Sequence, residues 1–244
     1  MVMNHMIHMM KQMTSKLSPS VYTSAQQQNS AAQLAHVRQL QKELKRENVL
    51  EVPLDDLQFI VFDLETTGFH PNHGDKILSI GAVKMRGDKI IEDDTFYSLV
   101  NAEKVIPEHI SKLTGITNEQ LEDAPPIREV LQDFYKYIQR DTLVAHHSKH
   151  EQSFMQHTTW SVLRTNFKHR ILDTSFLTKI TLPREKLTSL DDFCRHYQLE
   201  SCGRHHALKD AKLTAEVWGR SVSNMKELGF KNLSEVYVHL AKMK

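Results

Sequence analysis

Phe59-Ile-Val-Phe-Asp63-Leu-Glu65-Thr-Thr-Gly68 sets a run of strand-forming apolar residues directly before two carboxylates and a turn. A short continuous apolar run bounded by turn residues reads as a buried central strand. Side chains two apart on a strand share a face, so Asp63 and Glu65 project together and Leu64 points the other way. Like charges held side by side repel, and a half-buried setting makes them costlier unless a cation sits between them. Divalent metals accept hard oxygen donors in this arrangement. Thr66, Thr67 and Gly68 then turn the chain and are expected to leave backbone N–H groups free for a bound anion. The plainer alternative is a solvent-facing strand end with two independent acids, and the depletion of Asp and Glu in strand interiors weighs against it.

Working outward, residues 76–85 form a second strand-like run, Gly87-Asp88 gives a hairpin signal, and residues 89–91 and 95–100 return. Three strands joined by short turns make an antiparallel meander. From Pro107 the pattern is mainly helical, with Pro125-Pro126 as a break before a helix over 127–140. A short strand over 142–145 leads into a helix over 148–162, and residues 170–174 resemble another strand end, with Asp173 or Thr174 capping a helix over 176–181. Thr188-Ser-Leu-Asp-Asp192 opens a further helix with N-cap chemistry, followed by a long helix over 206–228 and a short one over 234–242. A meander followed by alternating strands and helices implies an α/β domain with a mixed sheet. The expected organisation is a leader and amphipathic helix over 1–56, a domain over 57–225 and a helical tail over 226–244.

Two further constellations carry chemistry. In Leu143-Val-Ala-His146-His147-Ser-Lys-His150-Glu151 a strand runs into a helix with an acid in its first turn. The helix dipole favours a carboxylate there whatever its function, so Glu151 alone is ambiguous. The histidine cluster has neither a nearby Cys nor the spacing of a zinc helix, which argues against structural zinc. In Arg204-His205-His-Ala-Leu-Lys-Asp210, His205 and Asp210 lie five residues apart and do not share a helical face. They converge if His205 stands on the loop before the helix and Asp210 points inward from its first turns. A histidine beside activated water is a natural general base, since the ordinary imidazole pKa lies near working pH. Singly, His205 reads as a surface histidine and Asp210 as a helix-start acid; the combination carries the weight.

The bulk numbers narrow the class. With 244 residues, 40% hydrophobic and 25% charged, the chain reads as a globular protein of one domain plus extensions. Its apolar runs are strand-sized, the Met-rich start makes a poor secretory signal, and two cysteines, Cys194 and Cys202, match no redox or zinc spacing. No membrane association and a cytoplasmic location are therefore expected. A net charge of +1 neither suggests nor excludes nucleic acid, because a metal-held substrate needs only a local basic rim. Arg164, Lys168, Arg170, Arg184, Lys186 and Arg204 are candidates for that rim. Residues 1–29 show no period, whereas Leu34, Val37, Leu40 and Leu44 mark an amphipathic helix over 30–48 with Ser30 as N-cap. Its stripe is expected to dock on the following domain or on a partner.

Taken together, Asp63-x-Glu65-Thr-Thr-Gly68, the strand–His–helix segment ending at Glu151, and His205-x-Ala207-x-x-Asp210 resemble the three ordered motifs of the DEDDh exonucleases. That superfamily includes the proofreading subunit of bacterial replicative DNA polymerase, RNase T and oligoribonuclease. The resemblance runs from about Leu57 to Val222, and Ile110-x-x-x-x-Gly115-Ile-Thr117 adds to it. It implies a ribonuclease H-like mixed sheet flanked by helices, and a 3′→5′ exonuclease acting on single-stranded DNA or RNA. It also implies two Mg²⁺ or Mn²⁺ ions held by Asp63, Glu65, Asp210 and Glu151, with His205 as general base. Thr66, Phe69 and His146 fall where relatives contact the substrate, although Phe69 could equally pack the turn. The second motif usually reads His-Asn-x-x-Phe-Asp, and here it is His146-His-Ser-Lys-His-Glu151, with an acid one methylene longer. The competing reading is a non-catalytic module of the same fold that binds nucleic acid, or a polymerase through the N-terminal helix.

Overall fold

The computed structural model describes Ala35, Val37, Gln39 and residues 49–243. Those first three are helical, as expected there; the leader, the rest of that helix and its docking lie outside the described residues. A 3₁₀ turn at Val49–Glu51 precedes β1 (Gln58–Thr66), β2 (Ile77–Arg86) and β3 (Lys89–Leu99). Helices α1 (Glu108–Thr114), α2 (Asn118–Glu122) and α3 (Ile127–Ile138) then lead to β4 (Thr142–Ala145). Next come α4 (Lys149–Leu163), β5 (Ile171–Asp173), α5 (Ser175–Thr181), α6 (Leu190–Tyr197), α7 (Ala207–Glu227) and α8 (Leu233–Lys242).

The five strands form one mixed sheet in the order β3-β2-β1-β4-β5. β1 runs antiparallel to β2 and parallel to β4, so the apolar run at 59–62 is the central strand, with all four side chains buried. Alternation along it divides the core. Phe59 and Val61 face α7, where the Phe59 ring meets Trp218 edge-on at 5.3 Å. Phe62 faces the other way and packs on Phe134 of α3. Asp63 and Glu65 continue the parity of Phe59 and Val61, which turns both carboxylates toward the α7 side.

Two expectations are revised. The acidic triplet Glu92-Asp93-Asp94 does not break β3 into two pieces. The register slips instead: Val83 pairs with Thr95 and Met85 with Ile90, so the triplet bows out of an edge strand where acids can face water. The terminal segments are also more deeply built in than an extension and a tail. Leu54, Leu233 and Val236 share one buried cluster with Trp218, and the Leu54 N–H donates to the Lys231 carbonyl at 2.8 Å. Among the described residues no helix is long and apolar enough to cross a membrane.

Candidate active site

Three carboxylates converge where β1 ends. Asp63, Glu65 and Asp210 each offer an oxygen, and these lie within 4.8 Å of one another. Their meeting depends on a glycine. Gly81 of β2 is paired with Asp63, and a Cβ there would stand 2.1 Å from the Leu208 main-chain nitrogen. Any side chain at 81 would collide with the backbone that opens α7, so glycine lets the helix lie directly on the sheet and bring Asp210 to Asp63.

Glu151, in the first turn of α4, is 3% exposed and approaches from β4. It lies outside the tight oxygen cluster, yet its charge acts on Asp63. Two buried carboxylate oxygens, Glu151 Oε2 and Asp210 Oδ1, have no hydrogen-bond partner among the described residues. Burial and mutual repulsion raise these acids. Asp63 is pushed well above the usual carboxylate range by burial first, then by Glu151, Glu65 and Asp210. Burial and then Asp210 push Glu65 to about 7, against an opposing pull from Arg204. Burial raises Glu151 to about 8, with Asp173 and Glu65 adding repulsion.

The α7 approach is held by charge. Arg204, expected on a phosphate rim, turns inward instead: Nη1 pairs with Asp210 Oδ2 and Nε donates to Asp191 Oδ1 at 2.7 Å. The His205 main-chain N–H donates to the same Asp210 oxygen at 3.0 Å, with His205 in the left-handed region at φ 62°. The His205 main chain therefore meets Asp210, with the histidine on the loop before the helix. His206 stacks on Tyr97 of β3 with centroids 4.7 Å apart, a contact that no spacing in the sequence signals.

On the β4 side, the Thr66 hydroxyl donates to the Gly68 carbonyl at 2.7 Å and lies 3.4 Å from His150 Nε2. Phe69 is 78% exposed, with its ring beside His150, so it does not pack into the turn. The turn is less open to anions than expected, because the Thr67 N–H is taken by the Lys76 carbonyl and the His70 N–H by Asp75. His146 is engaged within the protein at both ring nitrogens. Nε2 donates to the Thr188 carbonyl at 3.0 Å, which leaves Nδ1 to accept from the Thr174 hydroxyl at 2.8 Å. Burial pushes its pKa down to about 4. Asp173 joins the two helix starts, accepting from the N–H groups of Ser148 at 2.7 Å and Ser175 at 2.8 Å. Its capping of α5 was legible, whereas its hold on α4 depends on the pairing of β4 with β5.

Similarity to known proteins agrees with this geometry. The profile of the RNase T exonuclease family matches residues 60–218. The DNA polymerase III subunit epsilon of Rickettsia typhi is 33% identical over 171 residues, which cover 68% of this chain and 74% of that protein. A PolC-type DNA polymerase III of Caldanaerobacter subterraneus subsp. tengcongensis is 36% identical over 179 residues. The match covers 73% of this chain but only 12% of that much longer protein. Among solved structures, the nuclease domain of 3′hExo, a DEDDh family member bound to rAMP, superposes with a TM-score of 0.61 at 18% identity. That alignment covers 68% of this chain and 92% of the other. Exonuclease X in complex with 5′ overhanging duplex DNA gives 0.55 at 21%, covering 74% and 98%. These structures share the fold; the sequence relatives and the family profile go further, and the chain belongs to the exonuclease family.

Proposed function

We propose that the chain is a metal-dependent 3′→5′ exonuclease of the DEDDh type, shortening single-stranded DNA or RNA to nucleoside 5′-monophosphates. One observation carries this reading: Asp63, Glu65 and Asp210 meet within 4.8 Å, the last two buried and Asp63 half-buried. Carboxylates so placed are costly without a cation, and the partnerless oxygens of Asp210 and Glu151 are donors of the hard kind that Mg²⁺ and Mn²⁺ take. Asp63, Glu65 and Asp210 would hold one ion, and Asp63 with Glu151 would face a second. When bound, the ions would neutralise the carboxylates and polarise the scissile phosphate.

The chain's own groups do the rest. His205, anchored through its main-chain N–H on Asp210, accepts the proton of the attacking water. The exposed ring of Phe69 stacks on the terminal base, a contact worth roughly 1–3 kcal/mol and indifferent to sequence. Thr66, at the end of β1, lies 3.4 Å from the His150 ring that neighbours Phe69, and His146 supports the site by fixing the β4–α4 junction. Asp63→Ala and Asp210→Ala are expected to abolish turnover, with the melting temperature unchanged or raised in Asp63→Ala and lowered in Asp210→Ala, which strands Arg204; activity in the double variant would refute the assignment.

A second reading, a non-catalytic binding module, is favoured by Glu151 in place of Asp and by the positive charge of Arg204 on Asp210. Mg²⁺ or Mn²⁺ binding without hydrolysis would distinguish it. The epsilon and PolC-type relatives suggest a cytoplasmic protein whose N-terminal helix engages a polymerase, with residues 57–225 as the nuclease domain. A pull-down with and without residues 1–48 tests the engagement; equal recovery would exclude it.

A further inference from the structure

The start of α7 carries two groups that the proposed chemistry needs, the His205 imidazole just before the helix and the Asp210 carboxylate in its first turn. An ordinary helix cap does not hold that start. His206 is the N-cap residue at φ −129°, and its side chain makes no capping hydrogen bond. His205 before it sits in the left-handed region at φ 62°, where a residue other than glycine stays only if its surroundings enforce it. One enforcing contact is already described, the His205 N–H on Asp210.

The sheet supplies the other. Asp63 of β1, Gly81 of β2 and Tyr97 of β3 pair in one row, and directly paired residues share a face. The Ala207–Leu208 backbone lies on Gly81, so Asp63 flanks the helix start on one side and Tyr97 walls it on the other. His206 leans on that wall, its ring 19° from parallel with the Tyr97 ring. His206 Nδ1 is buried with no hydrogen-bond partner among the described residues, so at that atom the stack alone fixes the ring. Tyr97 itself is 40% exposed on an edge strand, too open for core packing to account for it. Burial first, and then the charge of Glu65, hold its phenol above the usual tyrosine range, which sets the ring at the margin of the carboxylates.

We infer that Tyr97 is a positioning residue, whose ring holds the loop before α7 through His206 and so fixes the His205 imidazole beside the carboxylates. This role rests on the exonuclease reading and deepens it. Tyr97 acts at one remove, by keeping the loop from relaxing out of its left-handed turn. Without the stack α7 still sits on Gly81 and the carboxylates still meet, while the imidazole loses its fixed place. The stack needs a flat ring and no hydroxyl, so phenylalanine serves as well as tyrosine.

Two measurements test it. Hydrogen exchange of the His205 amide, followed by NMR, reports the loop without turnover, and kcat and KM on single-stranded DNA and RNA dodecamers with Mg²⁺ report the consequence. In Tyr97→Ala the His205 amide should exchange about tenfold faster, the upper end of what one aromatic pair contributes. Its kcat should fall about tenfold, with KM and the calorimetric Mg²⁺ affinity within about twofold of the parent. Tyr97→Leu, which keeps an apolar strand residue without a flat ring, should show the same losses, and guards against a β3 weakened by alanine. Tyr97→Phe should restore exchange and kcat together. Adding His206→Ala to Tyr97→Ala should cost nothing further, since both remove one contact. Unchanged His205 exchange in Tyr97→Ala and Tyr97→Leu, a Tyr97→Phe as impaired as Tyr97→Ala, or a rise in KM alone would overturn the inference. A parent that cleaves neither dodecamer would refute the exonuclease reading, while faster exchange in Tyr97→Ala, reversed in Tyr97→Phe, would still uphold the hold of Tyr97 on the loop.

Discussion

Glu65 and Glu151 illustrate how the site's chemistry appears in its stability. Both are acids whose folded pKa, about 7 and about 8, lies above the unfolded value, so the fold keeps protons that the unfolded chain has released. Their contribution is fully present below the unfolded pKa and is lost as pH rises through the folded one. His146 and His169 act in the opposite sense: burial lowers each to about 4, so the stability from their neutral form is lost only as pH falls below the ordinary histidine range. Between about pH 6.5 and 8.5 the carboxylates therefore set the slope. In EDTA the melting temperature should fall across that window, and Mg²⁺ should flatten or reverse the fall; a flat profile in EDTA would contradict the raised acids. Glu151→Gln should reduce the slope and raise the melting temperature at pH 8, where about 1 kcal/mol reads as about 2–4 °C. Asp63 and Glu65 were legible as a pair because strand parity is a local rule, whereas Asp210 joined them only through the resemblance of the three ordered motifs. The inward turn of Arg204 was not legible, since Asp191 and Asp210 flank it only after α6 and α7 pack together.

Among the elements, α7 and β2 decide whether the acids meet. Gly81→Ala would force the first turn of α7 off the sheet, taking Asp210 with it. The expected outcome is a stability loss of about 1–3 kcal/mol, typical of overpacking, together with weaker divalent-metal binding by calorimetry. Gly115, at φ 72° with open space around it, is the control. Gly115→Ala should lower the melting temperature and leave metal affinity unchanged; parallel metal losses in both variants would contradict the close-approach argument. Element types and order followed from period and turn chemistry, and helices expected over 148–162 and 206–228 are observed at Lys149–Leu163 and Ala207–Glu227. Gly81 sat unremarked inside a strand run, because its meaning depends on a helix more than a hundred residues away. The Thr67 N–H likewise looked free until the Lys76 carbonyl came into range.

At the scale of the molecule, the mixed sheet and its central strand follow from the run at 59–62, and the role of the chain's last helix does not. A short amphipathic segment after a long helix reads as a tail, yet Leu233 and Val236 are fully buried against Leu54 and Trp218. Leu233→Ala should cost about 2–5 kcal/mol in chemical denaturation while kcat in the folded protein holds; a surface-like cost below ~0.5 kcal/mol would exclude α8 from the core. The most direct test of the central claim is digestion of 5′-labelled single-stranded DNA and RNA of one sequence with Mg²⁺, Mn²⁺ or EDTA. The account predicts a ladder shortening from the 3′ end, absent in EDTA and in Asp63→Ala. Intact strands with either metal, alongside clear metal binding, would contradict it and leave a binding module in which Glu151 is the residue to revert to Asp.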